Sequence, residues 1–121
     1  MESEFNPRYR HPVDLRACLQ AAGRIPIEGR VGNLSMAGAM IEHRYRLIPG
    51  QPCVLSVALD IQEICVEGRV VWSKPLTEPG VRAGEGVPVC RSGLRFATLP
   101  ERAEIHLRAF LASLVPALPS L

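Results

Sequence analysis

Two short polar stretches hold the side chains best suited to contact a ligand. Arg8 and Arg10 lie close together just before the first alternating apolar stretch of the chain. A guanidinium group forms forked hydrogen bonds with phosphate and stacks on aromatic rings, so the position of such a cluster is informative. The second stretch begins at Asn33 and includes Ser35 and Gly38. A hydroxyl and nearby backbone N–H groups suit phosphate oxygens, and glycine permits close approach or a positive φ.

Each stretch also has an ordinary structural explanation. Arginines near a chain terminus are usually solvated, and residues 33–38 alone would be a hairpin turn. Arg8, Arg10, Asn33, Ser35 and Gly38 are nonetheless candidate binding residues.

Catalytic and metal chemistry are not indicated. Ser35, His43 and Asp14 could be imagined as a triad, but no GxSxG elbow is present and no spacing brings them together. The three histidines are too scattered to suggest a metal site. We expect a binding module rather than an enzyme, with no cofactor and no metal.

Composition limits the remaining possibilities. The 121 residues suit one domain, and 14 basic against 12 acidic side chains give a net charge of +2, which argues against nonspecific nucleic-acid binding. The four cysteines form no CxxC pair, so free thiols are expected. No segment has the apolar length needed to span a bilayer, and the amino terminus does not resemble a signal peptide. These features predict a cytoplasmic protein with no membrane insertion.

The elements that must position these residues are mostly strands. Period-two alternation predicts strands over 13–20, 27–31, 39–43, 53–59, 64–72 and 93–97. The second strand is expected to stop at the Gly32-Asn33 turn signal, and the fourth and fifth to form a hairpin. Trp72 is expected in the core, and the Pro- and Gly-rich residues 73–91 are expected to form a long loop.

In the carboxyl-terminal part the spacing of the apolar residues changes. Apolar residues recur at helical spacing, which predicts an amphipathic helix over 99–115. Thr98 and Glu101 fit a capping box, with Pro100 in the first turn and Pro116 ending the run. Six strands and one helix make the chain mainly β, comparable to a small barrel or sandwich.

The sequence resembles a known family. The arginine cluster leading into the first strand, and Asn33-Leu34-Ser35-Met36-Ala37-Gly38, which matches the pattern [Asp/Asn]-x-Ser-x-x-Gly, are similar to the two motifs of PilZ domains. The Trp72 strand, the 93–96 strand and the helix extend the resemblance over nearly the whole chain. It implies a six-stranded antiparallel β-barrel with a C-terminal α-helix over 13–121, preceded by an arm over 1–12.

The resemblance also implies a function. PilZ domains with intact motifs bind the bacterial second messenger cyclic di-GMP, which has two guanines and two phosphates. The family's arginine motif is RxxxR, and aligning its second arginine with Arg10 places Asn6 at the first position, so Arg8 must substitute.

The leading hypothesis is a signal-transduction receptor that binds cyclic di-GMP and relays it to an unidentified partner protein, for example in the regulation of motility. The receptor is expected to be a monomer or a weak homodimer. The alternative is a degenerate PilZ domain that has lost the nucleotide and acts as a protein-protein interaction adaptor. A nucleic-acid-binding barrel is disfavoured by the near-neutral charge and few aromatic residues.

Overall fold

Alternation of buried and exposed side chains defines the strands of this chain. A computed structural model describes residues 10–76 and 89–114. From Glu63 to Val70 of the fifth strand every second residue is buried, as expected where one face of a strand meets a core and the other meets water. The elements are β1 His11–Ala21, β2 Ile27–Leu34, β3 Gly38–Arg44, β4 Pro52–Ala58, β5 Glu63–Pro75, β6 Val89–Phe96 and α1 Glu101–Ser113.

The six strands form a closed barrel in the order β1-β2-β3-β6-β5-β4. Every neighbouring pair is antiparallel, including β1 with β4, whose pairing closes the sheet. The predicted fold, a six-stranded antiparallel β-barrel with a C-terminal helix, is confirmed. The barrel has two ends. One holds the start of β1 and the β2–β3 turn, and the other holds the β1–β2 and β3–β4 loops.

The predicted end of β2 and both predicted ends of the Pro- and Gly-rich loop are wrong. β2 does not stop at Gly32-Asn33 but continues to Leu34, because a register shift between Val31 and Asn33 keeps the chain paired with β3. The predicted loop 73–91 is shorter at both ends, since Lys74 pairs with Arg91 and extends the β5–β6 ladder. The rest of that loop, residues 77–88, lies outside the described part of the chain.

The helix completes the core. Ala103, Leu107 and Leu111 are buried and join the cluster that fills the barrel. The predicted capping box is wrong: the N-cap is Pro100, whose extended backbone precedes the helix without a side-chain hydrogen bond, and Thr98 lies two residues earlier. In the described residues no helix has the length and apolar character needed to cross a membrane.

A buried polar chain ties the β3–β4 loop to the barrel wall. The backbone N–H of Leu47 donates to Ser73 Oγ at 3.1 Å, and Ser73 Oγ is hydrogen-bonded to Ser92 Oγ at 2.9 Å. Ser92 Oγ in turn lies 2.7 Å from His43 Nε2, and His43 Nδ1 lies 2.9 Å from the Arg44 carbonyl oxygen. Polar groups buried in this way are tolerated because each finds a partner.

Replacing Ser73 by alanine is expected to destabilise the fold. The buried N–H of Leu47 would lose its acceptor, at a cost of about 1–3 kcal/mol in the free energy of unfolding. Urea denaturation of Ser73→Ala measures this loss. Ser56→Ala is the matched control, because Ser56 is only partly buried and its hydroxyl contacts the exposed Cys65 thiol. Equal stability of the two variants would contradict the importance of the chain.

Alkaline pH is expected to destabilise the protein through Cys53. Burial raises the pKa of the Cys53 thiol from 9.0 to about 11, so the unfolded chain releases this proton first. The stabilising contribution is complete below pH 9.0 and is lost as pH rises through about 11. Cys53→Val should therefore show a shallower fall in unfolding free energy over this range than the wild type, as measured by denaturation at several pH values. Parallel pH profiles would argue against it.

Candidate functional site

The pairing of β1 with β2 brings Arg10 to Asn33. His11 is paired with Leu34 and Pro12 with Asn33, so the residue just before β1 lies beside the end of β2. Arg10 Nη1 donates to Asn33 Oδ1 at 3.3 Å, and both partners remain accessible to solvent. This bond is longer than a typical N–H···O contact, so it holds the guanidinium only weakly. Arg8 lies outside the described residues.

Ser35 holds the turn between β2 and β3 from inside. Its side chain is buried, and its Oγ accepts hydrogen bonds from the backbone N–H groups of Ala37 at 3.0 Å and Gly38 at 3.1 Å. The Ser35 backbone N–H donates to the Gly38 carbonyl oxygen at 2.9 Å. A serine side chain that bonds to backbone two and three residues ahead substitutes for part of a hydrogen-bond ladder. Ser35 therefore sets the shape of the turn next to Asn33.

Gly38 is required where β3 approaches β6. A Cβ at this position would overlap the backbone carbonyl oxygen of Leu94, which cannot move aside. The Ala37 carbonyl oxygen accepts the Phe96 N–H at 2.8 Å, so the turn is fastened to the end of β6 as well. The need for glycine here comes from close packing of two strands, and no positive φ is involved.

A row of residues crosses the outside of the barrel, starting at the predicted site residue Asn33. Asn33 is paired with Met40, Met40 with Gly93, and Gly93 with Trp72, so four neighbouring strands contribute one residue each at the same level. We call these four residues the outer row. The Trp72 ring lies over Gly93, and a Cβ on residue 93 would collide with the indole. Trp72 is partly exposed. Trp72 is thus on the outer surface, and its predicted core position is wrong.

Cationic side chains lie on both sides of the outer row. Towards one end, Arg95 is paired with Gly38 and with Arg69, and both arginines are exposed. On the other side, Lys74 Nζ lies 5.5 Å from the centroid of the Trp72 ring. This arrangement combines a flat aromatic surface with positive charge, which suits a ligand that carries both rings and phosphates.

Other polar groups are already committed to partners. Arg30 Nε donates to Asp14 Oδ1 at 2.5 Å, and this hydrogen bond lowers the pKa of Asp14 and raises that of Arg30. His43 is bonded to Ser92 inside the barrel, so Ser35, His43 and Asp14 do not form a triad. Within residues 10–76 and 89–114, no three His, Cys, Asp or Glu side chains are arranged to hold a metal ion.

Of the five predicted site residues, the structure brings Arg10, Asn33, Ser35 and Gly38 together, with Ser35 and Gly38 beneath the surface. Sequence reasoning missed Met40, Gly93, Trp72 and Arg95. Two of these positions could have been found, because the alternation of each strand places Met40 and Arg95 on its outward face. The Trp72 position could not be read in this way, because a register shift between Val70 and Trp72 reverses its parity.

Removing the Ser35 hydroxyl is expected to loosen the turn. Two backbone N–H groups would lose their acceptor, which predicts a loss of about 1–3 kcal/mol in the free energy of unfolding of Ser35→Ala. Chemical denaturation measures the loss, and Thr98→Ala, at an exposed position outside every element, serves as control. If Ser35→Ala were as stable as this control, the turn would not depend on the hydroxyl.

Comparison with known proteins gives one family. A family model described as PilZ domain matches residues 5–113. No curated protein matches the chain. The PilZ domain of CeSA from a cellulose synthesizing bacterium is 22% identical with a TM-score of 0.60, covering 87% of this chain and 97% of that chain. The PilZ domain of YcgR from Escherichia coli, solved with c-di-GMP, is 15% identical with a TM-score of 0.65, covering 90% and 92%. At these identities the two structures support the fold.

Proposed function

Because the chain belongs to the PilZ domain family, we propose that it is a receptor that binds cyclic di-GMP through Arg8, Arg10, Asn33 and the Ser35–Gly38 turn. The observation that carries the proposal is the hydrogen bond between Arg10 and Asn33, which joins the two sequence motifs at one end of the barrel. The YcgR domain, solved with c-di-GMP, has the same fold and supports this ligand class.

Arg10 is the principal ligand contact in this proposal. Cyclic di-GMP carries two phosphates and two guanines, and a guanidinium can form paired hydrogen bonds with either a phosphate or the O6 and N7 atoms of guanine. The bond from Arg10 to Asn33 keeps the guanidinium next to the turn before the ligand arrives. Asn33 then offers its amide to a guanine edge, while Arg8 adds a second cation from the arm.

Ser35 and Gly38 contribute through the backbone. The Ser35 hydroxyl already accepts two backbone N–H groups, so its main effect on binding is to fix the turn beside Asn33. Gly38 allows β3 to approach β6 closely, and this brings Arg95 next to the turn. Both residues therefore affect affinity by positioning their neighbours.

The outer row would form the wall against which the ligand lies. A guanine base placed beside Asn33 would extend over Met40 towards the face of Trp72, since these residues are at one level of adjacent strands. Stacking of a base on an aromatic ring contributes about 1–3 kcal/mol. Arg95 and Lys74 on either side would favour the dianionic ligand over neutral purines.

A second candidate function is supported by one specific departure from the family motif. RxxxR is incomplete, because Asn6 occupies the position of its first arginine. One missing bidentate contact costs about 1–3 kcal/mol, or roughly tenfold to a hundredfold in affinity. A domain that lost the nucleotide in this way would act as a protein-protein interaction adaptor, and a pull-down of its partner would then give the same result with and without the nucleotide.

In the receptor hypothesis, the nucleotide holds the part of the arm that precedes Arg10 against the barrel and presents a changed surface to a partner protein, while His11 and Pro12 already belong to β1. Holding a chain segment on a ligand costs conformational entropy, which the arginine contacts must offset. The proposal places the protein in the cytoplasm, as a monomer or weak homodimer that regulates a process such as motility.

Calorimetric titration with cyclic di-GMP tests the proposal. We expect the wild type to bind and Arg10→Ala to bind roughly tenfold to a hundredfold more weakly, since one bidentate contact is lost. Trp72→Leu should also weaken binding, and the emission of Trp72, the one tryptophan of the chain, should change when the wild type is titrated. Arg102→Ala, which removes an exposed arginine from the helix, should bind as the wild type does.

The receptor hypothesis fails if the wild type shows neither heat nor a thermal shift with cyclic di-GMP at tens of micromolar. If Arg10→Ala and Arg102→Ala bind equally well, the ligand is right but the assigned site is wrong.

A further inference from the structure

Two loops at the end of the barrel opposite Arg10 and Asn33 expose three large apolar side chains. Ile25 in the β1–β2 loop is 79% exposed, and Tyr45 and Ile48 in the β3–β4 loop are 51% and 58% exposed. We call these two loops, residues 22–26 and 44–51, the tip. Strand β1 runs from its start beside Arg10 to Ala21, so the tip lies opposite Arg10 and Asn33, whereas the Trp72 end of the outer row is next to the β3–β4 loop.

The tip is also cationic. It contains the exposed arginines Arg24, Arg44 and Arg46 and no acidic residue. The nearest acidic residues along the chain are Glu28 and Glu42 on the strand walls, and Glu42 is paired with Arg91 at 2.6 Å. Three of the chain's 14 basic residues therefore lie in 13 positions that have no compensating charge, although the protein as a whole is nearly neutral.

The two loops of the tip are held together. Arg24 Nη1 donates to the Arg46 carbonyl oxygen at 3.2 Å, which joins the β1–β2 loop to the β3–β4 loop. Leu47 is buried and its N–H donates to Ser73 Oγ, so the β3–β4 loop is anchored between the exposed Tyr45 and Ile48. The apolar side chains are thus presented from a fixed backbone.

Tyr45 shows that this presentation costs conformational energy. Its φ is 71°, and it is the non-glycine residue with positive φ in the described part of the chain. A bulky aromatic residue is rare in this region, where glycine or asparagine is usual. Backbone strain of this kind is found at ligand clamps and similar sites, where the surrounding structure enforces it. Here it places an aromatic ring among arginines at the end of the barrel.

We propose that the tip docks the protein on the surface of an anionic lipid bilayer. Isoleucine side chains bury in the acyl boundary, tyrosine favours the headgroup level, and arginines pair with anionic headgroups. The separate, highly exposed side chains on two loops suit an adaptable lipid surface better than a protein partner, whose energetic contacts centre on well-packed pockets. Arg10 and Asn33, at the other end, would remain accessible.

Co-sedimentation of the purified protein with vesicles tests this proposal. We expect binding to vesicles of phosphatidylcholine with phosphatidylglycerol and much weaker binding to phosphatidylcholine alone, with a loss at high salt because surface charges are screened. The double variant Arg24→Gln/Arg46→Gln should bind roughly 25-fold more weakly, about fivefold for each arginine. Ile25→Ser/Ile48→Ser should also bind more weakly at unchanged salt dependence.

A matched control separates the tip from net charge. Arg16→Gln/Arg102→Gln removes two exposed arginines from a strand wall and from the helix, so it changes the charge by the same amount. This variant should bind vesicles as the wild type does. Tyr45→Asn separates the role of the aromatic ring from backbone stability, since asparagine accepts positive φ more readily. Its melting temperature should equal or exceed that of the wild type, while its vesicle binding should fall.

Three results would overturn the proposal. They are no binding of the wild type to anionic vesicles, equal binding to neutral vesicles, and an equal loss in the tip and control arginine variants. If the wild type ignores vesicles but the tip variants no longer bind a purified partner protein, the tip is a protein interface instead.

Discussion

The pairing of β4 with β1 is the constraint on which the other features depend. It closes the sheet through Ala17–Ala21 of β1, so each of the six described strands has a neighbour on both sides. Closure also fixes which side chains face inward and separates the barrel into two ends with different composition. Arg10, Asn33 and the Ser35–Gly38 turn lie at one end, and the arginine-rich loops lie at the other.

The irregularities of the barrel are concentrated around the proposed site. Register shifts occur between Pro12 and Leu15, between Val31 and Asn33, and between Val70 and Trp72. A bulge bends its strand and redirects one side chain, and such features often lie near binding sites. Here two of the shifts end at Asn33 and Trp72, residues of the proposed site, and the third follows Arg10 at Pro12. The two-residue alternation that builds the core is therefore interrupted where outward side chains must converge.

Local patterns predicted the fold well and the site only in part. Strand burial repeats every two residues, so the positions of the strands and the helix could be read from nearby residues, and the two motifs indicated Arg10, Asn33, Ser35 and Gly38. Cross-strand register is not local, which is why the row from Asn33 to Trp72 was not foreseen. The burial of Ser35 and the extension of β2 through Gly32 also depend on a bulge that no single stretch of sequence reveals.

The hydrogen-bonded chain from His43 through Ser92 and Ser73 to Leu47 has an entropic consequence. The chain of hydrogen bonds starts at the Arg44 carbonyl oxygen, passes through the barrel interior and ends at the Leu47 N–H. It therefore closes the segment Arg44–Leu47 into a ring without a covalent bond. A loop constrained in this way has little freedom left to lose when its outer side chains are covered. Most of the ordering cost is met during folding, and whatever covers Tyr45 and Ile48 encounters a surface that is already rigid.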